Sequence, residues 1–246
     1  MRPVERGPVP LLPNGQAKTV RDYKDWRFDL IDRLGHYCSY CEMPLHDSPQ
    51  VEHVSPKSGA GSLLAWDNML LACGPCNSTK SAAPCLPATH FLPDFHNTHL
   101  AFTHKHLLHP KLPGSIAGIV VPRVGLSARR LNKARATIVL CGLDRVVQTP
   151  KQQRRASDLR WRYRFEAIVM AERYRAKWDI LPPTSAKGYI ECLEDIVQAV
   201  GFFSVWLDAF SDVPRIKQML VGAFPHTAAC FPPPAYKPTV RVPRDL

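Results

Sequence analysis

The chain has no uninterrupted apolar stretch near the roughly 18 residues that a membrane-spanning helix requires, so no helical membrane span is expected. Its first residues, Met1 to Pro13, hold prolines where a secretory leader would carry an apolar helix; a cytoplasmic setting is the expectation. Acidic residues are in deficit. Against 32 Lys and Arg stand 21 Asp and Glu, a formal net charge of +11. That balance favours a polyanionic partner, because each phosphate neutralised by a basic side chain releases condensed counterions. Charge alone does not separate nucleic-acid binding from an ordinary solvated surface. No internal repeat is visible.

With 246 residues and 45% hydrophobic content, the chain can bury a core, as one large domain or two modest ones. Eight cysteines would suit a disulfide framework in a secreted protein. Four of them, however, form two Cys-x-x-Cys pairs, Cys38-Ser-Tyr-Cys41 and Cys73-Gly-Pro-Cys76. Two such knuckles can deliver four thiolates to a tetrahedral Zn²⁺ ion. A shell closed by four cysteines has no open position, so this metal braces the fold and activates no water. Cys85, Cys141, Cys192 and Cys230 share no spacing; Cys141 and Cys192 fall in apolar helical segments and are expected as buried thiols.

Residues 1–34 read as a proline-rich arm followed by a helix from Thr19 to Leu34, with Thr19 and Asp22 resembling a capping box and Gly35 as the stop. Residues 35–87 change character, with short strand-like pieces at Gln50 to Val54 and Met69 to Ala72. Residues 88–126 lack a period and hold most of the histidines among prolines, which reads as an irregular connection with solvated histidines. From residue 127 to 246 the chain turns helical. Ser127 can cap a segment ending at Cys141 with Gly142 as a left-handed stop, and a second helix spans Ser157 to Trp178. A third follows from Thr184 or Ser185 to the Gly201 break, an apolar helix runs from Phe202 to Phe210, and a last one starts at Pro214 before an extended tail.

Between the knuckles lie Val51-Glu52-His53-Val54-Ser55-Pro56-Lys57 and Trp66-Asp67-Asn68-Met69-Leu70-Leu71, and the second knuckle leads into Asn77-Ser78-Thr79-Lys80. Glu-His-x-x-Pro-Lys, then Asn-x-Leu-Leu, then Cys-x-x-Cys-Asn-x-x-Lys resembles the HNH branch of the ββα-metal nucleases. The resemblance implies an α+β fold, with a small ββα finger set in a mainly helical protein. It also implies hydrolysis of phosphodiester bonds, in DNA first and RNA as the alternative. Such a reaction needs a base for the attacking water and a cation for the developing charge. On this resemblance His53 is the base, Asn68 orients it by tying down the loop between the strands, and Glu52 with Asn77 holds Mg²⁺ or Mn²⁺. Neighbouring strand residues face opposite ways, so Glu52 and His53 can share a site only where the strand twists or ends. Asparagine at 77, where much of the family has histidine, makes the sequence an HNN variant favouring a hard cation.

Lys57 and Lys80 flank this motif as candidate phosphate contacts. Between Lys151 and Lys177 a run of arginines is interleaved with aromatics; Arg160 and Arg164 share one helix face and are candidates for a nucleic-acid backbone. A wider pattern adds Arg6-Gly7-Pro8, Tyr37-Cys38-Ser39-Tyr40-Cys41-Glu42 and Phe203-Ser204-Val205-Trp206. It is similar to the nuclease component of Septu-type and retron-associated anti-phage systems, which implies an ATPase partner. Alternatives left open are a restriction-type or mobile-element endonuclease, and a zinc-knuckle protein that binds nucleic acid without cutting it.

Overall fold

The computed structural model describes residues 1–56, 62–108, 116–146 and 158–241. The leading helix begins with a 3-10 turn, Tyr23–Trp26, that continues as α1, Arg27–Leu34. Its capping box lies one turn later than Thr19: the Asp22 carboxylate accepts from the Lys24 backbone N–H at 2.8 Å, and Asp25 reaches back to the Asp22 N–H at 3.3 Å. Gly35 ends the helix at φ +72°, a conformation that glycine adopts without a Cβ clash.

A minimal ββα unit follows. Strands β1 (Gln50–His53) and β2 (Met69–Ala72) pair antiparallel with Glu52 opposite Leu70 and His53 opposite Met69. The short helix α2, Gly74–Lys80, grows out of the second knuckle, with the Cys73 sulfur accepting the Cys76 N–H and Pro75 in the first turn. Trp26, Leu30 and Leu34 of the leading helix share a buried apolar cluster with Met69, Leu70 and Leu71, so α1 backs the hairpin.

Residues 88–126 correct the expectation of an irregular connection. They carry a second antiparallel hairpin, β3 (Phe102–Leu108) with β4 (Ile116–Pro122). Several of their histidines are core residues: His96 and His99 are 1% and 5% exposed. The reason is non-local pairing. Asp208, far away in sequence, accepts from Thr103 Oγ1 at 2.9 Å and from Arg123 Nη2 at 2.8 Å, and lies 3.4 Å from His99 Nε2. His109 falls outside the described residues.

Four helices build a second apolar cluster: α4 (Arg160–Asp179), α5 (Ala186–Val200), α6 (Phe203–Ala209) and α7 (Pro214–Ala223), while α3 (Ala128–Cys141) joins the first. Helix α3 stops at Gly142 in the left-handed conformation, φ +58°. The helix expected from Phe202 starts one residue later, because Phe202 sits at φ +56° with its N–H on the Glu42 carbonyl at 3.0 Å, and the Glu42 carboxylate accepts the Ser204 N–H at 2.7 Å. The knuckle loop thereby caps α6. Helix α4 lies flat on β4 at Gly118, where a Cβ would stand 2.5 Å from the Phe165 backbone nitrogen. Cys141 is buried as expected, whereas Cys192 is exposed. Among the described residues no helix is long and apolar enough to cross a membrane.

The buried His99 makes the fold pH-sensitive. Burial pulls its pKa down from 6.5 to about 4, Asp208 opposing and Arg123 adding to the shift. The unfolded chain therefore binds this proton below pH 6.5 while the native state does not, so the contribution is full above 6.5 and is lost as pH falls toward 4. It amounts to the order of 3 kcal/mol. Urea unfolding between pH 7 and pH 4.5 is expected to show less loss of stability in His99→Gln than in the parent; equal slopes would exclude His99 as the source.

Candidate functional site

The knuckles converge. The sulfurs of Cys38, Cys41, Cys73 and Cys76 all lie within 4.8 Å of one another, and all four residues are buried. A Zn–S bond of about 2.3 Å implies sulfur separations of roughly 3.8 Å in a tetrahedron. The separation of 3.7 Å between Cys41 and Cys73 is close to that value. Among the described residues this is the one group of three or more His, Cys, Asp and Glu side chains able to hold a metal ion.

Arg160 and Arg164 belong to this centre and not to a basic surface, which corrects the sequence expectation. They are 2% and 1% exposed. Arg160 donates to the Cys76 sulfur at 2.9 Å, to the Cys141 and Gly142 carbonyls at 2.8 and 3.1 Å, and to Asp158. Arg164 donates to the carbonyls of Gly118 and Leu143, both at 2.9 Å. Guanidiniums used in this way cannot reach a phosphate backbone. Lys57 lies outside the described residues.

Glu52 and His53 point to opposite sides of β1, as strand geometry demands. The Glu52 carboxylate is 3% exposed, 2.6 Å from Lys80 Nζ, and accepts a short hydrogen bond from the Tyr40 hydroxyl. Lys80, 1% exposed, also donates to the His53 carbonyl at 2.7 Å. Lys80 is thus an internal counter-ion that clamps α2 to β1, and the expectation that it meets phosphate is corrected. Burial raises the Glu52 pKa, with the Lys80 charge working against that rise. Each Glu52 oxygen thus has a partner inside the core, Lys80 for one and Tyr40 for the other, while the residue also lines the cleft that His53 and Asn77 share.

On the other side, His53 packs against Tyr23 with ring centroids 4.5 Å apart, and its Nε2 lies 3.0 Å from the Leu63 carbonyl oxygen. A carbonyl only accepts, so Nε2 carries a proton in this contact. Asn68 fixes the loop that makes this contact. Its Oδ1 accepts the Ser55 N–H at 2.8 Å, and its Nδ2 donates to the carbonyls of Ser55 and Ser62 at 3.0 and 3.2 Å. Asn77, on α2, donates to Gln50 Oε1 at 2.8 Å through its amide nitrogen. A cleft of about 370 Å³ is lined by Tyr23, Glu52, His53, Pro56 and Asn77. Sequence reasoning missed Tyr23, Tyr40 and Gln50; for Tyr40 the signal was its place inside the first knuckle, directly behind Glu52.

Comparison with known proteins bears on the segment that holds the knuckles and the cleft residues. A family model described as HNH endonuclease matches residues 38–83, which include both knuckles, His53, Asn68, Asn77 and Lys80. The CRISPR-associated endonuclease Cas9 of Corynebacterium diphtheriae is 30% identical over 60 residues, which is 24% of this chain and 6% of that protein. The chain therefore covers a small fraction of that relative's length. No solved structure matches. The matched segment supports an endonuclease domain with a nucleic-acid substrate, of a family whose chemistry is metal-dependent.

The clamp can be tested through stability. Lys80→Met leaves the Glu52 charge buried without its ion pair and should cost about 3–5 kcal/mol. Adding Glu52→Gln removes that charge and should recover most of the loss. Chemical unfolding of the two variants and the parent measures both steps; a Lys80→Met protein as stable as the parent would show that the pair is not a buried clamp.

Proposed function

We propose that this protein is an endonuclease that hydrolyses phosphodiester bonds, in DNA before RNA, with His53 as general base. The observation that carries the reading is the hydrogen bond from His53 Nε2 to the Leu63 carbonyl, on a side chain that lines the cleft; in the neutral ring this contact makes Nδ1 the basic nitrogen. A water oxygen would attack phosphorus while its proton passes to Nδ1 and the bond to the leaving sugar oxygen breaks. Asn68 serves as a positioning residue: by holding Ser55 and Ser62 it holds the carbonyl that fixes the histidine tautomer.

In this reading the knuckles hold Zn²⁺, which four thiolates at tetrahedral separations favour. Mg²⁺ or Mn²⁺ is the cofactor that the HNN pattern suggests, with the Asn77 carbonyl oxygen as a hard donor. Glu52, paired to Lys80 and Tyr40, is left out of that role. Exposed cations beside the cleft replace Arg160 and Arg164 as phosphate contacts. Arg145 donates to Thr79 Oγ1 at 3.0 Å, two residues from Asn77, and Lys24 stands over the Tyr23 ring. The match to a CRISPR-associated endonuclease is in keeping with a defence role; a cytoplasmic setting and control by an ATPase rest on the resemblance to Septu-type and retron-associated nucleases alone.

The test is cleavage of plasmid DNA with Mg²⁺ or Mn²⁺ after metal analysis shows equal zinc in parent and His53→Ala. Loss of the base should lower the rate by about 10²–10⁴-fold, and Asn68→Ala should lower it less while shifting the pH profile. Equal cleavage by parent and His53→Ala would overturn the mechanism. Cleavage only on adding a co-expressed ATPase would support the defence reading over a stand-alone restriction enzyme.

A further inference from the structure

A divalent ion ligated by four thiolates leaves an excess of two negative charges at the centre of the knuckles. Such an excess is stable inside a protein only where buried positive groups answer it. Helix α4 supplies two. Arg160, 2% exposed, hydrogen-bonds the Cys76 sulfur at 2.9 Å. One turn further on the same face, Arg164 is 1% exposed, has Cys41 and Cys76 among its electrostatic partners, and keeps Nε and Nη2 without a hydrogen bond.

Both guanidiniums also hold the frame around them. Arg160 gathers the C-terminal carbonyls of α3, Cys141 and Gly142, and Arg164 ties Leu143 to Gly118 of β4. From there α4 runs on into the second apolar cluster, where Ala167, Ile168 and Ala171 pack.

We infer that Arg160 and Arg164 make the seating of the helical half depend on occupancy of the four-cysteine site, so that metal binding orders α4 and β4 as well as the knuckles. The inference rests on the zinc reading and is independent of the nuclease reading. With the ion bound, the two guanidiniums offset the thiolate charge, Arg160 sharing its own with Asp158. Without it, Arg160 keeps Asp158 as its anionic partner but loses the thiolates, Arg164 loses them too, and the helix face that carries both is less well held. The coupling is reciprocal, so removing the guanidiniums must weaken the hold on the metal. Arg160 and Arg164 are positioning residues for the metal centre, outside the segment that the HNH model matches.

The experiment uses the full chain and begins with its zinc content by mass spectrometry. A chain purified without zinc overturns the zinc reading and this inference with it. In the zinc-loaded parent, chelation with EDTA is followed by hydrogen exchange. The expected result is faster exchange in residues 160–168 and 116–122 together with 74–80; loosening confined to the knuckles overturns the coupling. Zinc transfer to a chromogenic chelator is then timed in Arg160→Met and Arg160→Lys. Outer-shell partners of metal ligands are worth about 10–100-fold in affinity, so Arg160→Met should release zinc at least about tenfold faster, with Arg160→Lys between it and the parent. Release at the parent rate by Arg160→Met overturns the inference. Should that variant fail to fold, the exchange measurement on the parent decides alone.

Discussion

The structure depends on four sulfurs brought within one coordination shell in the middle of the chain. Two-residue knuckles separated by a strand pair and its loop cannot bury enough apolar surface to fold unaided, and a structural metal contributes about 10–16 kcal/mol to folding such a unit. Several parts of the frame around the cleft and the helical half are attached to this centre. Cys73 caps α2, Tyr40 between Cys38 and Cys41 backs Glu52, and Glu42 just after the first knuckle caps α6. A distortion of the knuckle is therefore felt at both the cleft and the helical half.

Much of this was legible because the signals are local. Cysteine spacing, the Gly35 and Gly142 helix stops, and Pro214 in a first helical turn each encode their geometry within a few residues. What escaped was non-local or required knowing which face is inside. His96 and His99 look like loop residues until Lys133 arrives beside the first and Asp208 and Arg123 beside the second. Arg160 and Arg164 read as a phosphate-binding face, yet Ala167, Ile168 and Ala171 continue their stripe at helical spacing, and that stripe is the buried one. A stripe of arginines that runs on into small and apolar residues is a sign of internal counter-ions.

Strand alternation decides the chemistry. A two-residue period sends Glu52 and His53 to opposite faces, and the structure keeps that rule by giving each its own partners. On the inner face, Glu52, Lys80 and Tyr40 form a satisfied network, which is the condition under which a buried charge pair is tolerable. On the outer face, His53 meets a backbone carbonyl, the acceptor that defines which ring nitrogen can take a proton.

The two faces are not independent, because Lys80 also donates to the His53 carbonyl. One ammonium therefore neutralises the glutamate behind the strand and holds the backbone of the histidine in front of it. Asn68 works from the opposite end of the same residue, through Ser62 and the Leu63 carbonyl that His53 Nε2 contacts. The imidazole is fixed by its main chain on one side and its ring nitrogen on the other, with no side-chain carboxylate orienting the ring through either contact. A carbonyl in place of a carboxylate at Nε2 holds the ring through a neutral acceptor, so this contact fixes the orientation of the base without adding an anion of its own.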